Sequence, residues 1–346
     1  PVFLFSGYKG LGTTGEYEVA QASAILVDES RIDPFETDGS SREIPVHFYY
    51  PVVSEEENAL FPLVVFSHGA FGYYESNFST YQELASNGYV VAALDHPHHA
   101  FFTHDTDGNL IIVDPNFIQT AIEVSAEEDY EETELRAVEE DWMNLRVPDL
   151  NFAMDSIESA AKNRELSSAW TTEDPDEERV LDLLQLIDTG KIGVMGHSMG
   201  GATSVEAGRL RDDIGAVIDI DGTMLGEYIN GENGSYTVRT EPYTVPILEF
   251  VNWNTYQALE EVRNRGIVYP NDVLIKNANE GFSVTIQDTE HMDFTDLPLL
   301  SPSIGKMLGS GERDVKETMS IVNSLILDFF NSYLKDEGTF QPQEVY

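Results

Sequence analysis

Residues 191–201, Lys-Ile-Gly-Val-Met-Gly-His-Ser-Met-Gly-Gly, constrain the fold more than any other stretch of this chain. A short apolar β-like run enters Gly196-His197-Ser198-Met199-Gly200, and the small residues Gly201, Ala202, Thr203, Ser204 and Val205 leave it as a helix. A chain that reverses from strand to helix in so few residues crowds its own side chains. Gly196 and Gly200 remove the side chains that would collide, and Ser198 is left exposed at the top of a sheet. The spacing therefore predicts a nucleophile elbow, with a plain tight turn as the alternative.

The rest of the chain reads as strands alternating with helices. Residues 62–67 and 89–94 are almost wholly apolar, as expected for strands buried on both faces. Further strands are expected at 22–27, 44–50, 192–195, 216–220, 246–251 and 282–286, with a helix near 81–86 and a closing amphipathic helix over about 315–333. This alternation predicts an α/β fold, with a mostly parallel central sheet and helices on both faces. Residues 1–18 read as an N-terminal arm. A helical, acidic insertion of about 115–180 falls between the fourth and fifth core strands, where it could border the site mouth. Within it residues 170–178 read as a loop, and an Asp-Gly turn at 107–108 predicts a hairpin just before it. A chain of 346 residues accommodates this as one domain.

Composition narrows the function. Acidic residues outnumber basic ones 62 to 19, for a formal charge of −43. That surface repels nucleic acid and anionic membranes, so neither is an expected partner. With no cysteine, disulfides, thiolate metal sites and a cysteine nucleophile are excluded. No apolar run is long enough to span a bilayer. The chain begins at Pro1 rather than Met, so a trimmed product is expected, secreted or held at the cell envelope, with the cytoplasm left open.

A serine nucleophile needs a base, an acid that orients the base, and donors for the oxyanion. In the order Ser, Asp, His, the search is narrow. His291 is the one histidine after Ser198, just past the strand at 282–286. The strand at 216–220 runs into Asp221-Gly222. Asp221 lies at its carboxyl end, whereas Asp219 lies within the strand, so Asp221 is the candidate acid. The loop Ser67-His68-Gly69-Ala70-Phe71-Gly72 follows a buried strand, so the N–H groups of Ala70 and Met199 are the candidate oxyanion donors. Phe71, Tyr73, Tyr74 and Trp253 are candidate pocket walls. The cluster Asp95-His96-Pro97-His98-His99 with His104 fits no familiar metallohydrolase spacing, so a polar loop flanking the site is expected there rather than a metal. Residues 105–109 lack the later bidentate Glu of a calcium loop.

These residues resemble the platelet-activating-factor acetylhydrolase group of α/β-hydrolases and, more distantly, bacterial cutinase-like polyester hydrolases. The likeness runs over about 43–335. It is carried by Phe66-Ser67-His68-Gly69, Leu94-Asp95-His96, Gly196-His197-Ser198-Met199-Gly200-Gly201, Ile220-Asp221-Gly222 and His291-Met292-Asp293-Phe294. It implies Ser198, Asp221 and His291 as nucleophile, acid and base, Ala70 and Met199 as oxyanion donors, and chemistry without a cofactor. Two positions depart from it: Thr223 stands where the family carries Trp, and Pro97 where it carries Arg. Both sit near the expected acyl or leaving-group pocket, so acyl and headgroup preference does not carry over. The expectation is a serine hydrolase of short-acyl lipid or other small esters. A polyester hydrolase or acyltransferase with the same triad, and an inactive binding module, are the alternatives.

Overall fold

The computed structural model describes residues 10–54, 59–125, 131–172, 176–231 and 235–346. In chain order its strands are β1 (Val19–Ile32), β2 (Ser41–Pro51), β3 (Phe61–Ser67), β4 (Val90–Leu94), β5 (Phe102–His104), β6 (Leu110–Ile112), β7 (Trp170–Thr171), β8 (Ile187–His197), β9 (Ile214–Ile220), β10 (Tyr228–Asn230), β11 (Tyr236–Val238), β12 (Ile247–Asn252) and β13 (Gly281–Ile286). Nine of them form one sheet in the order β13-β12-β9-β8-β3-β4-β2-β1-β7. From β13 to β4 every neighbour pair is parallel, and β2, β1 and β7 add antiparallel pairings at one edge. This is the α/β-hydrolase architecture.

The apolar runs form central strands because both faces are covered. Along β3, Leu63 and Val65 face one core while Val64 and Phe66 face the other, the period of two that a pleated strand imposes. The first core is closed by α3 (Glu132–Asn163), α4 (Asp176–Leu184) and α5 (Met199–Leu210), through Leu150, Met154, Ile157, Leu183 and Val205. The second is closed by α1 (Phe78–Ser86) and the C-terminal helix Val315–Leu334, through Tyr81, Leu84, Ile326, Phe329 and Phe330.

The parallel strands β3, β8, β9, β12 and β13 end at Ser67, His197, Ile220, Asn252 and Ile286. Their carboxyl ends therefore open on one edge of the sheet, the usual place for a site in an open α/β sheet. The hairpin β5–β6 pairs Phe102 with Ile112 and turns through Asp107-Gly108, as the sequence predicts.

The expected loop at 170–178 is corrected. Trp170 and Thr171 pair with Leu26 and Ile25 as the edge strand β7, and a helix starts at Asp176. Asp176, Glu177 and Glu178 occupy its first turn, where the helix dipole favours negative charge. Residues 173–175 lie outside the described residues, as do 1–9 of the expected arm and 126–130 of the acidic insertion. Of the arm, Thr14 and Tyr17 bond to Glu83 and Ser86 of α1. Helices α2 (Pro115–Ser125) and α3 supply the helical part of the insertion. The sequence reading did not anticipate α6 (Trp253–Asn264), α7 (Pro270–Asn277) or the hairpin β10–β11.

Candidate active site

Ser198 stands between β8 and α5 with φ 54° and ψ −123°, a conformation that L-residues rarely adopt. The flanking glycines permit the turn. A Cβ on Gly196 would lie 2.2 Å from the Gly200 carbonyl, and one on Gly200 only 1.9 Å from the Ser67 oxygen. The Ser198 N–H donates to the Ile220 carbonyl at 2.8 Å, which ties the elbow to the end of β9. Ser198 is partly exposed, between the buried His197 and Met199.

One residue beyond β9, Asp221 also has a left-handed backbone, with φ 60°. Its side chain is buried, and its Oδ2 accepts from His291 Nδ1 at 2.6 Å. Asn252, the last residue of β12, donates twice to Asp221: from its backbone N–H at 2.7 Å and from Nδ2 at 2.8 Å. Burial alone would raise the Asp221 pKa. The hydrogen bond and charge of His291, with the two donors of Asn252, win, and the group is held below the ordinary carboxylate range. The same pairing raises the His291 pKa against the opposing effect of burial. His197 adds a further tie. Its Nε2–H donates to the His291 carbonyl at 3.2 Å, and the two rings lie 4.6 Å apart, centre to centre. Burial and the neighbouring His291 push the His197 pKa down to about 3, so this ring is neutral.

The loop after β3 passes beside the elbow. A Cβ on Gly69 would meet Ser198 Cβ at 3.2 Å. Gly72 N–H donates to the Gly69 carbonyl at 3.1 Å, and Phe71 takes φ 60°. Among the described residues the Ala70 N–H has no hydrogen-bond acceptor. Met199 opens α5, where a helix leaves its first N–H groups unpaired.

Ala70 and Phe71 pack on a small apolar cluster of Val113, Phe117, Trp142, Met143, Met199 and Ala202, with the Phe71 and Phe117 rings 5.4 Å apart. Helices α2 and α3 of the insertion thus wall the region next to the elbow. Trp253 begins α6 directly after Asn252 and stacks on Tyr256. Thr223 is exposed and within 3.2 Å of the Tyr269 hydroxyl. Two candidate pocket walls are used elsewhere. Tyr74 is a core residue stacked on His47, and the half-buried Tyr73 donates its hydroxyl to Glu75 at 2.9 Å.

The histidine cluster is dispersed among unlike partners. His96 Nδ1–H donates to Asp149 at 3.0 Å, which leaves Nε2 to accept from the Ser67 hydroxyl at 2.8 Å. His98 stacks on Phe35, and His99 lies flat on Phe117 with ring centres 3.7 Å apart. Among the described residues no three His, Cys, Asp or Glu side chains are grouped to hold a metal ion. Sequence reasoning missed Asn252, His197 and Arg146. Asn252 carried a usable signal, a helix-capping residue at the end of a buried strand on the site edge. Arg146, set between apolar residues of the long helix, carried only its misfit.

The sequence model for platelet-activating factor acetylhydrolase, isoform II, matches residues 35–344. Among curated proteins, the platelet-activating factor acetylhydrolase of Gallus gallus is 27% identical over 297 residues, covering 81% of this chain and 64% of its own length. That of Canis lupus familiaris is 25% identical over 302 residues, covering 84% and 60%. The chain thus spans somewhat under two thirds of these relatives. A solved ferulic acid esterase from Streptomyces cinnamoneus superposes with a TM-score of 0.64 at 20% identity, covering 96% of this chain and 95% of that one, which speaks to the fold.

Proposed function

The chain belongs to the platelet-activating factor acetylhydrolase, isoform II, family, and from that membership we propose that it hydrolyses carboxylic esters through Ser198, His291 and Asp221. The observation that carries this reading is the 2.6 Å bond between His291 and Asp221, beside a serine in a strained strand-to-helix turn that is tied to both through the Ser198 N–H on the Ile220 carbonyl and the His197 ring on the His291 carbonyl. Asp221 fixes the Nδ1–H tautomer, which leaves His291 Nε2 to take the Ser198 proton as Oγ attacks the ester carbonyl. The imidazolium so formed is stabilised by the Asp221 carboxylate, and its proton passes to the departing alcohol. Water then cleaves the acyl-enzyme by the same route. The N–H groups of Ala70 and Met199 receive the oxyanion.

Short-acyl lipid esters or other small esters are the proposed substrates. The bulk of Phe71, Phe117 and Trp142 beside the elbow supports a confined acyl site. In this reading residues 1–346 form one domain, whose insertion at about 115–180 helps to build the site.

Labelling with a fluorophosphonate, followed by peptide mass spectrometry, tests the assignment. The adduct is expected on Ser198. Ser198→Ala should lower kcat on p-nitrophenyl acetate by about 10³-fold or more. Full turnover by that variant would overturn the serine mechanism. A series of nitrophenyl esters of increasing acyl length, run beside a short-acyl phospholipid, reads the substrate class.

A further inference from the structure

Arg146 lies on α3 in the insertion and is 0% exposed. Its guanidinium is directed at the main chain of the loop after β3. Nη1 donates to the His68 carbonyl at 2.5 Å and Nη2 to the Gly69 carbonyl at 3.4 Å, while Nε donates to His99 Nδ1 at 3.1 Å. Among the described residues it forms no ion pair. Asp149, one turn along the helix, is held instead by Arg42, Arg31 and His96. Burying a cation without a carboxylate in contact is costly, and here the hydrogen bonds to two carbonyls and the nearby charge of Asp149 offset that cost only in part.

The Gly69 carbonyl also accepts from His68 Nδ1 at 2.6 Å and from the Gly72 N–H at 3.1 Å. His68 can donate there because its Nε2 accepts the His96 N–H at 3.1 Å. In a trans peptide the carbonyl and the following N–H point in opposite directions. Fixing the Gly69 oxygen therefore fixes where the Ala70 N–H points. The guanidinium, seated by its shorter bond to the His68 carbonyl and 3.4 Å from the Gly69 oxygen, also places a positive charge that polarises that peptide and makes its N–H a better donor.

We propose that Arg146 is a positioning residue that aims and polarises the Ala70 N–H for the developing oxyanion. The inference rests on the assignment of Ser198 and Ala70 above. It gives the insertion a part in catalysis: α3 is the brace behind the oxyanion loop.

Arg146→Met and Arg146→Lys in the full chain, each checked for folding by near-UV circular dichroism, test it. The readouts are kcat and KM on p-nitrophenyl acetate, and the inhibition constant of an aryl trifluoromethyl ketone, whose adduct with serine carries an oxyanion. Arg146→Met should lower kcat about 100-fold with KM within about twofold, and weaken the ketone by a similar factor. Arg146→Lys, which keeps the charge but loses the fork, should fall between. A folded Arg146→Met with kcat within twofold of the parent overturns the proposal. So does a loss of kcat with unchanged ketone binding, or failure of both variants to fold, which would make Arg146 a stability residue alone. The fluorophosphonate separates the two levels: an unlabelled Ser198 in the parent sinks the serine reading itself, whereas a labelled parent with indifferent Arg146 variants sinks only this inference.

Discussion

Asp219 and Asp221 sit two residues apart on the same strand end, and their surroundings drive their carboxyls in opposite directions. Asp219 is fully buried, and its Oδ2 is without a hydrogen-bond partner. Burial, with the nearby Glu249 and Asp221 carboxyls, pushes its pKa well above the ordinary range and so favours its neutral form. Asp221 is buried too, but its donors and His291 keep it ionised. Asp219→Asn removes a carboxyl whose surroundings already disfavour its charge and should leave kcat within about threefold, whereas Asp221→Asn should cost about 10⁴-fold through the wrong imidazole tautomer. The pH profile carries the sign. His291 must be neutral to act as base, and Asp221 raises its pKa above the ordinary 6.5. In the parent, kcat/KM should therefore rise with pH through a midpoint above that value. In Asp221→Asn the residual activity should turn on at lower pH. An unmoved midpoint would detach Asp221 from His291.

At the scale of elements, β12 and α6 meet at a residue with two tasks. Asn252 caps α6, its side chain accepting from the Thr255 N–H at 2.9 Å, and it donates to both oxygens of Asp221. Asn252→Ala should lose about 1 kcal/mol of stability from the missing cap. It should also lower kcat about tenfold, because Asp221 loses one of its side-chain donors. Chemical denaturation and steady-state kinetics on the same preparation separate the two effects, and a stability loss with unchanged kcat would make Asn252 a cap only. This junction also shows where sequence reading stops. β3, β4, the 192–195 end of β8 and most of β9 were legible because burial on both faces leaves largely apolar runs, whereas the polar start of β8 at 187–191 gave no such run. The elbow was legible because its glycines answer local crowding. The partnership of Asn252 with Asp221, and of Arg146 with Gly69, depends on segments 31 and 77 residues apart, and nothing local announces either. The edge strand β7 spans only Trp170 and Thr171 and exists because β1 offers it an edge, so its own residues could not declare it. α6 and α7 escaped notice because each buries little: Leu259 alone in the first, and Pro270, Asn271 and Leu274 in the second, too few for a helical period.

For the molecule as a whole, two electrostatic loads act over different ranges of condition. The formal charge of −43, from 62 acidic against 19 basic residues, is a load that exposed carboxylates spread over the surface. It should be relieved by salt, since the Debye length falls from about 10 Å at 0.1 M to about 3 Å at 1 M. The second load is internal. Glu249, in the body of β12, accepts from Asn271 at 2.5 Å, but burial outweighs that bond and raises its pKa from 4.5 to about 7. An acid with a raised folded pKa stabilises the native state fully below its unfolded pKa, and that contribution is lost as pH rises through the folded value. Over roughly pH 4.5 to 7 the unfolded chain releases this proton while the native chain keeps it, at a cost of up to about 3 kcal/mol. Between pH 5 and 7.5 the melting temperature of the parent should therefore drop relative to that of Glu249→Gln, which keeps an acceptor for Asn271 and has no proton to lose; the buried His68, His96, His99 and His197, whose lowered pKa values act in the opposite sense, are common to both. Raising sodium chloride from 0.1 to 1 M should lift the melting temperature of both proteins alike, at either pH. Identical pH slopes in parent and variant would remove Glu249 as the source of the internal load, and a melting temperature indifferent to salt would mean that the acidic surface does not oppose folding.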